Sequence, residues 1–289
     1  MENLRGALFM TLAMAAFAAE DAFIKGLAEA WPSGQIVLAL GLGGTVIFAA
    51  ICRIQGHAPL PRAALSAPMF VRSGFEAVGT FAFVTALALI PLALASAILQ
   101  ATPLLVTWGA AVFLGQAVGW RRLTAILAGL AGVLIILRPG TDGFEPAALL
   151  AVLATLCLAG RDIAIRRVSA RVTGPQIAFF SFLSLIPTGA LILAFDPAPL
   201  GALTPSALLA FGGAMLLGTL AYSLIVEATR IGEVAVTTPF RYTRLIFAMA
   251  LGLAFFGERP DATTLIGAAI VIASGLYTLW REARLARLV

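Results

Sequence analysis

Long, predominantly apolar runs, such as Pro205 to Val226 and Glu233 to Phe256, constrain this chain more than any other feature. A helix that crosses a bilayer needs about 20 such residues, and these runs lack the strict alternation of a half-buried strand. A water-soluble domain carries about 25% charged residues; here only 11% of 289 residues are charged and 61% are hydrophobic. That deficit excludes a soluble enzyme, a disordered chain and a nucleic-acid binder, despite a formal net charge of +5. The stretch after Arg5 stays apolar too long for a cleavable leader and contains Glu20 and Asp21 in place of a small-residue cleavage site. Cys52 and Cys157 fall inside apolar runs, as small packed hydrophobes.

The pattern predicts ten spans, at 4–27, 34–52, 68–89, 92–114, 122–138, 146–166, 175–195, 205–228, 233–256 and 262–280. The residues left over suffice for short loops and no soluble domain. Lys and Arg placement then sets orientation, because basic residues stay on the cytoplasmic side. With both termini cytoplasmic, the inner segments hold twelve arginines (Arg5, Arg53, Arg62, Arg121, Arg122, Arg166, Arg167, Arg171, Arg230, Arg281, Arg284 and Arg287). The outer segments hold three basic residues, Lys25, Arg138 and Arg259. An odd number of spans would destroy this bias.

The chain also repeats itself. A shift of 142 residues places Ala86–Ala93 on Ala228–Ala235 and Phe113–Gln116 on Phe255–Glu258. A shift of 141 places Ala19–Lys25 on Gly160–Arg166. These offsets divide the chain into five-span halves, residues 1–142 and 143–289. An odd number of spans per copy forces the second copy to insert upside down. Inverted repeats of this kind occur in secondary transporters, with the substrate near mid-depth where the copies meet.

The stretches "ALALIPLALASAILQATPLLV" and "EATRIGEVAVTTPFRYTRLIF…GLAFFGE" resemble the paired EamA signatures of the drug/metabolite transporter superfamily, as does "DAFIKGLAEAWPSGQI". The resemblance runs from about residue 6 to 280. It implies ten helices in a five-plus-five inverted arrangement, with the third, fourth, eighth and ninth lining a central cavity. Among members of the superfamily the general look is closest to exporters of amino acids and related metabolites. Two positions depart from it: Gln116 replaces the usual Glu after glycine, and Leu40 stands where relatives often carry Arg.

Charges inside a bilayer are costly, and each one is expected to face the bundle interior, paired or meeting substrate. The acids within spans are Glu20, Asp21, Glu76, Asp162 and Glu227; the bases are Arg72, Arg161, Arg241 and Arg244. Asp21 with Lys25, and Asp162 with Arg166, have the spacing and order of intrahelical pairs. With Glu20 and Arg161 they are expected to frame the cavity entrances. Arg241 and Arg244 share one helix face around Tyr242, with Pro239 just before them. A guanidinium fork there suits a substrate carboxylate or phosphate; neutralisation by Glu76, Glu20 or Asp162 is the other role that fits. The repeat carries Gln100 onto Tyr242 and Thr102 onto Arg244, which puts polar groups on both sides of the axis. Glu76, near Arg72 and Gly79, suits a proton-coupling or ammonium-binding group as well as a structural pair. Phe75, Phe81, Phe83, Trp108 and Tyr222 can line an apolar pocket.

His57 is the sole histidine and Lys25 the sole lysine, which removes His-based zinc sites and triads and a phosphate-binding P-loop. No cofactor and no metal is expected. The sequence therefore predicts an all-α integral membrane protein of ten transmembrane helices, a secondary transporter working by alternating access. Its expected action is to export amino acids, or similar metabolites, from a bacterial cytoplasm. Importing or exchanging another metabolite (a nucleoside, an S-adenosylmethionine-like or drug-like compound) is the alternative, with a channel behind it. Its partners are a small-molecule substrate, the lipid bilayer and, if coupled, protons; a functional monomer is the simplest expectation.

Overall fold

The computed structural model describes residues 2–115, 119–195, 198–231 and 234–286. Gln116, Glu233 and Arg287 lie outside the described residues. The first half comprises α1 (Glu2–Ala28), α2 (Ser33–Ile54), α3 (Ala67–Leu89), α4 (Leu92–Leu99), α5 (Thr102–Leu114) and α6 (Trp120–Leu137). The second comprises α7 (Ala148–Ala164), α8 (Gly174–Phe195), α9 (Pro205–Ile231), α10 (Val234–Thr237), α11 (Thr243–Phe256) and α12 (Ala262–Ala286). No strand occurs among the described residues.

Nine helical segments of the described residues are long and apolar enough to cross a membrane, Leu92–Leu114 among them. The remaining crossing is Val234–Phe256, where a 3-10 turn, Thr238–Tyr242, separates α10 from α11. The sequence pattern predicts two continuous helices at 92–114 and 233–256; both are interrupted at repeat-related positions. Gln100 and Ala101 form a turn before Pro103, and Pro239 sits inside the 3-10 turn. Proline lacks the N–H that would continue the helical ladder.

Other boundaries also follow from local chemistry. Ile90, which precedes Pro91, is extended at φ −125° and ends α3, because a residue before proline is driven out of the helical region. Gly115 and Gly257 close α5 and α11 in the left-handed conformation, at φ 66° and 65°. Glycine adopts that cap without a Cβ penalty, which explains why the repeat match at Phe113 and Phe255 includes this residue.

Packing follows the repeat. The α1–α9 contact is matched by α3–α7, and α1–α11 by α5–α7, while α2–α8 and α6–α12 each map onto themselves. This is the pattern of a pseudo-twofold axis between halves. At α6–α12 the backbones meet so closely that a Cβ on Gly132 would lie 2.9 Å from the Gly267 carbonyl oxygen. The main core runs through both halves, joining Leu87, Ile98 and Leu104 to Leu245, Ala248 and Val271. Large apolar side chains such as Leu42, Val46, Leu209, Leu216 and Phe255 stay exposed on the outside, where lipid replaces water as the contacting solvent. Cys52 and Cys157 are buried and unbridged.

Candidate functional site

Three sets of charged side chains knit the bundle together. At one end, Lys25 of α1 forms an ion pair with Glu258 at 3.2 Å. Its ammonium also donates to the carbonyl oxygens of Leu87 and Ile90 at 3.1 and 2.8 Å. The last turn of a helix leaves carbonyls without partners, and Pro91 supplies no N–H to relieve them. Glu258 in turn accepts the Leu92 N–H at the start of α4, at 2.8 Å, where a carboxylate is favoured by the exposed donors and the helix dipole. The pair thereby joins the ends of α1 and α3, the beginning of α4 and the chain just after α11.

Arg244 of α11 makes a fork on the Asp21 carboxylate, with contacts of 2.7, 2.9 and 3.2 Å. Its guanidinium also stands over Phe17 and Phe83, 5.2 and 5.9 Å from the ring centres. It is therefore locked to α1 and α3. Asp21 thus pairs across the halves and not with Lys25, one turn away on its own helix.

Between α3 and α7, Glu76 accepts from Arg72 at 3.1 Å and from Arg161 at 3.0 Å. Arg161 also reaches Asp162 at 2.9 Å, and Arg72 donates to Ser181 of α8. Asp162 thus meets its own neighbour, while Arg166 is exposed in the 3-10 turn that follows α7. With two guanidinium groups on it, Glu76 bridges α3 and α7.

Arg241 stands apart. It lies in the 3-10 turn that breaks the ninth crossing and is exposed, yet its surroundings include the charges of Asp162, Arg161 and Arg244. No carboxylate pairs with it among the described residues. Charges within spans face the bundle interior or a water-filled cavity. Gln100, at the break of the fourth crossing, donates a long 3.4 Å hydrogen bond to the Arg241 carbonyl. The two helix breaks therefore meet across the axis, with one free guanidinium between them.

The other predicted residues divide. Tyr242 is buried against α12, where a Cβ on Gly275 would overlap its hydroxyl, so it points away from Arg241. Gly79 is a contact between helices: a Cβ there would come 2.9 Å from the Cys157 Cβ. The Phe75 ring covers Gly160 of α7. Thr102 donates to the Leu99 carbonyl at 2.6 Å, within the helix break. Tyr222 donates to the Gly174 carbonyl at 2.8 Å and stands edge-on to Phe48. Glu20 is half-buried against Gly218 of α9. Sequence reasoning missed Glu258, although the repeat match ending in Gln116 and Glu258 pointed to that position.

Comparison with known proteins agrees with this architecture. The EamA-like transporter family model matches twice, at residues 4–138 and 145–280. A riboflavin transporter of Rhizobium johnstonii is 32% identical over 72% of this chain and 68% of its own length. A pseudopaline exporter of Pseudomonas aeruginosa is 30% identical over 93% of this chain and 94% of its own. An S-adenosylmethionine uptake transporter of Rickettsia bellii is 29% identical over 68% of this chain and 66% of its own. One solved structure shares the fold with a TM-score of 0.67 at 22% identity, covering 96% of this chain and 97% of that one. This protein is a multi-pass membrane transporter of small metabolites, not an enzyme, and it belongs to the EamA-like transporter family.

Proposed function

We propose that this protein exports amino acids, apolar or aromatic ones foremost, across a bacterial cytoplasmic membrane as a monomer with both termini inside. Residues 1–142 and 143–289 rock against each other, so that one central site opens to each face in turn. The observation that carries this reading is the free Arg241 guanidinium at the meeting point of two broken helices. A guanidinium there is suited to a carboxylate, which it can hold through two parallel hydrogen bonds. Gln100 supplies a neutral amide at the facing turn, and Phe75 and Tyr222 are the apolar surfaces this reading assigns to the substrate side chain. Thr102 contributes at the break, whereas Arg244, held by Asp21, positions the ninth crossing.

Lys25 and Glu258 serve as the latch of the outer end in this reading. Export is favoured over import because, of the three relatives named, the exporter aligns over the largest share of the chain. A second reading, uptake of a larger heteroaromatic metabolite, draws on the relatives named for riboflavin and S-adenosylmethionine. Purified protein in liposomes tests both. Saturable flux of labelled L-leucine or L-phenylalanine, competed by other amino acids, is expected. Flux of riboflavin or S-adenosylmethionine alone would favour the second reading, and a large non-saturating conductance would indicate a channel instead.

A further inference from the structure

The internal charges are unevenly shared by the two halves. The 141-residue shift carries Glu20 onto Arg161, and the 142-residue shift carries Arg72 and Glu76 onto Ala214 and Gly218. The α3–α7 contact and its counterpart α1–α9 are thus the same helix pair built twice with different chemistry. In the first, the Arg161 guanidinium rests on the Glu76 carboxylate, 3.0 Å away, with Arg72 supporting it. In the second, the Glu20 carboxylate lies against Gly218, so close that a Cβ on that glycine would collide with it. Where one contact has an ion pair, the other has a carboxylate facing bare backbone.

The groups around Glu20 leave it without a counter-charge. Asp21 stands beside it on α1, and Arg244 of α11 is the cation that acts on it. Arg244 already makes its fork on Asp21. Lys25 is held by Glu258. On α9, one turn beyond Gly218, the Tyr222 hydroxyl is donated to Gly174, and the Thr219 hydroxyl is donated to Met215. Two carboxylates, Glu20 and Asp21, therefore share the one guanidinium of Arg244, while Arg241, unpaired among the described residues, lies toward Asp162 and Arg161, so the group around Glu20 carries one negative charge in excess. Asp21 is buried, whereas Glu20 keeps partial solvent access. The excess charge thus sits on the oxygen that water can reach.

We propose that Glu20 takes up and releases a proton during the transport cycle, which makes this transporter proton-coupled. The proton occupies the role that the Arg161 guanidinium plays on Glu76 across the axis. Its carboxylate takes a proton from hydronium when the cavity faces one side, so that the hydronium O–H breaks as the carboxyl O–H forms, and returns it to water as hydronium when the cavity faces the other. This rests on the transport reading above and moves proton coupling from Glu76, bridged by two arginines, to Glu20.

The first arm of the test needs no substrate. Infrared difference spectra of the purified protein, recorded across a pH titration, are expected to show a protonated-carboxyl C=O band that is absent in Glu20→Gln and present in Glu76→Gln. Asp21→Asn should weaken the same band, because it frees Arg244 to pair with Glu20. In liposomes, an imposed pH gradient should change labelled L-leucine flux several-fold in the native protein, while Glu20→Gln should give the same flux with and without the gradient. A band that persists in Glu20→Gln, or no titrating band in the native protein, overturns the proposal. So does a Glu20→Gln protein that keeps the native response to the gradient. If Glu20 instead binds a substrate ammonium, the band is missing and L-leucine, unlike its deaminated analogue, raises the melting temperature only when Glu20 is present. Absence of any amino-acid flux in the native protein defeats the export reading, and the infrared result still decides this one.

Discussion

Arg241 and Arg244 lie three residues apart, but only Arg244 is tied to a carboxylate among the described residues. Arg244 is fixed by Asp21 and two aromatic rings, and Arg241 has no carboxylate partner among the described residues. Replacing Arg241 by Gln should therefore lower amino-acid flux roughly 10- to 150-fold, the loss of a charged hydrogen bond worth about 1.5–3 kcal/mol, with an unchanged melting temperature. Arg244→Gln should behave in the opposite way: stranding a buried Asp21 costs about 3–5 kcal/mol, visible as a lower melting temperature and aggregation on size exclusion. Equal thermal effects from both would remove the distinction. A third residue-scale effect lies outside the membrane. Arg138 and Thr264 hold the Asp261 carboxyl well below its usual range, at about 2. A depressed carboxylate contributes stability above its unfolded value of about 3.9 and loses it as pH falls toward the folded value. The native protein should thus lose stability between about pH 4 and 2 relative to Asp261→Asn, by a modest amount because the pair is exposed. Thermal unfolding at stepped pH measures it. The sequence identified which residues carry charge within the spans and the Arg72–Glu76 pair within one helix, but not the partners across the halves. Spacing along one helix suggested Asp21 with Lys25, yet each found a stronger partner on the other half, and no pattern within a helix reports that.

Elements were more legible than pairings. Apolar length alone located the crossings, since the bilayer sets the length of each helix, and the repeat offset anticipated their common packing. What hydropathy could not reveal was the interruption of the fourth and ninth crossings, because a broken helix remains as apolar as a continuous one. Prolines at 103 and 239 were the available signal; the backbone stays right-handed there but tightens to a turn in one crossing and a 3-10 helix in the other. Close helix contacts also escape composition. Gly132 and Gly267 are ordinary small residues in the sequence, but each would meet the other's carbonyl oxygen if it carried a Cβ, at 2.9 and 2.7 Å. A Gly132→Val substitution should push α6 from α12 and cost the stability typical of overpacking, about 1–3 kcal/mol, seen as a lower melting temperature. Gly26→Val in α1, where a Cβ would meet nothing within 4 Å, is the control expected to leave packing intact. Equal destabilisation by both would show that the α6–α12 contact is not tight.

At the scale of the whole molecule, the two ends of the bundle are chemically unequal even though the fold repeats. Lys25 and Glu258 tie together the ends of α1, α3, α4 and α11. The repeat places Arg166 and Gln116 at the corresponding positions of the other end. An amide cannot form an ion pair, so the first end has a charged latch for which the sequence supplies no equivalent at the second. If that latch holds the outer end closed, Glu258→Gln gives both ends the same neutral residue and shifts the balance toward the outward-open form. A charge-assisted contact is worth about 1.5–3 kcal/mol, which corresponds to roughly a 10- to 150-fold change in the ratio of open to closed molecules. A reporter cysteine at Thr102, in a background with Cys52 and Cys157 replaced by alanine, reads this directly. Its labelling by a membrane-impermeant maleimide from outside right-side-out vesicles should rise several-fold in Glu258→Gln. It should rise likewise in Lys25→Met, because either change opens the same pair. Restoring an ion pair in the opposite sense, Lys25→Glu with Glu258→Lys, should bring labelling partway back, since the exchanged charges attract each other but no longer suit the Leu87 and Ile90 carbonyls or the Leu92 amide. Labelling that stays at the native level in both single variants would mean that the Lys25 end is held by apolar packing alone.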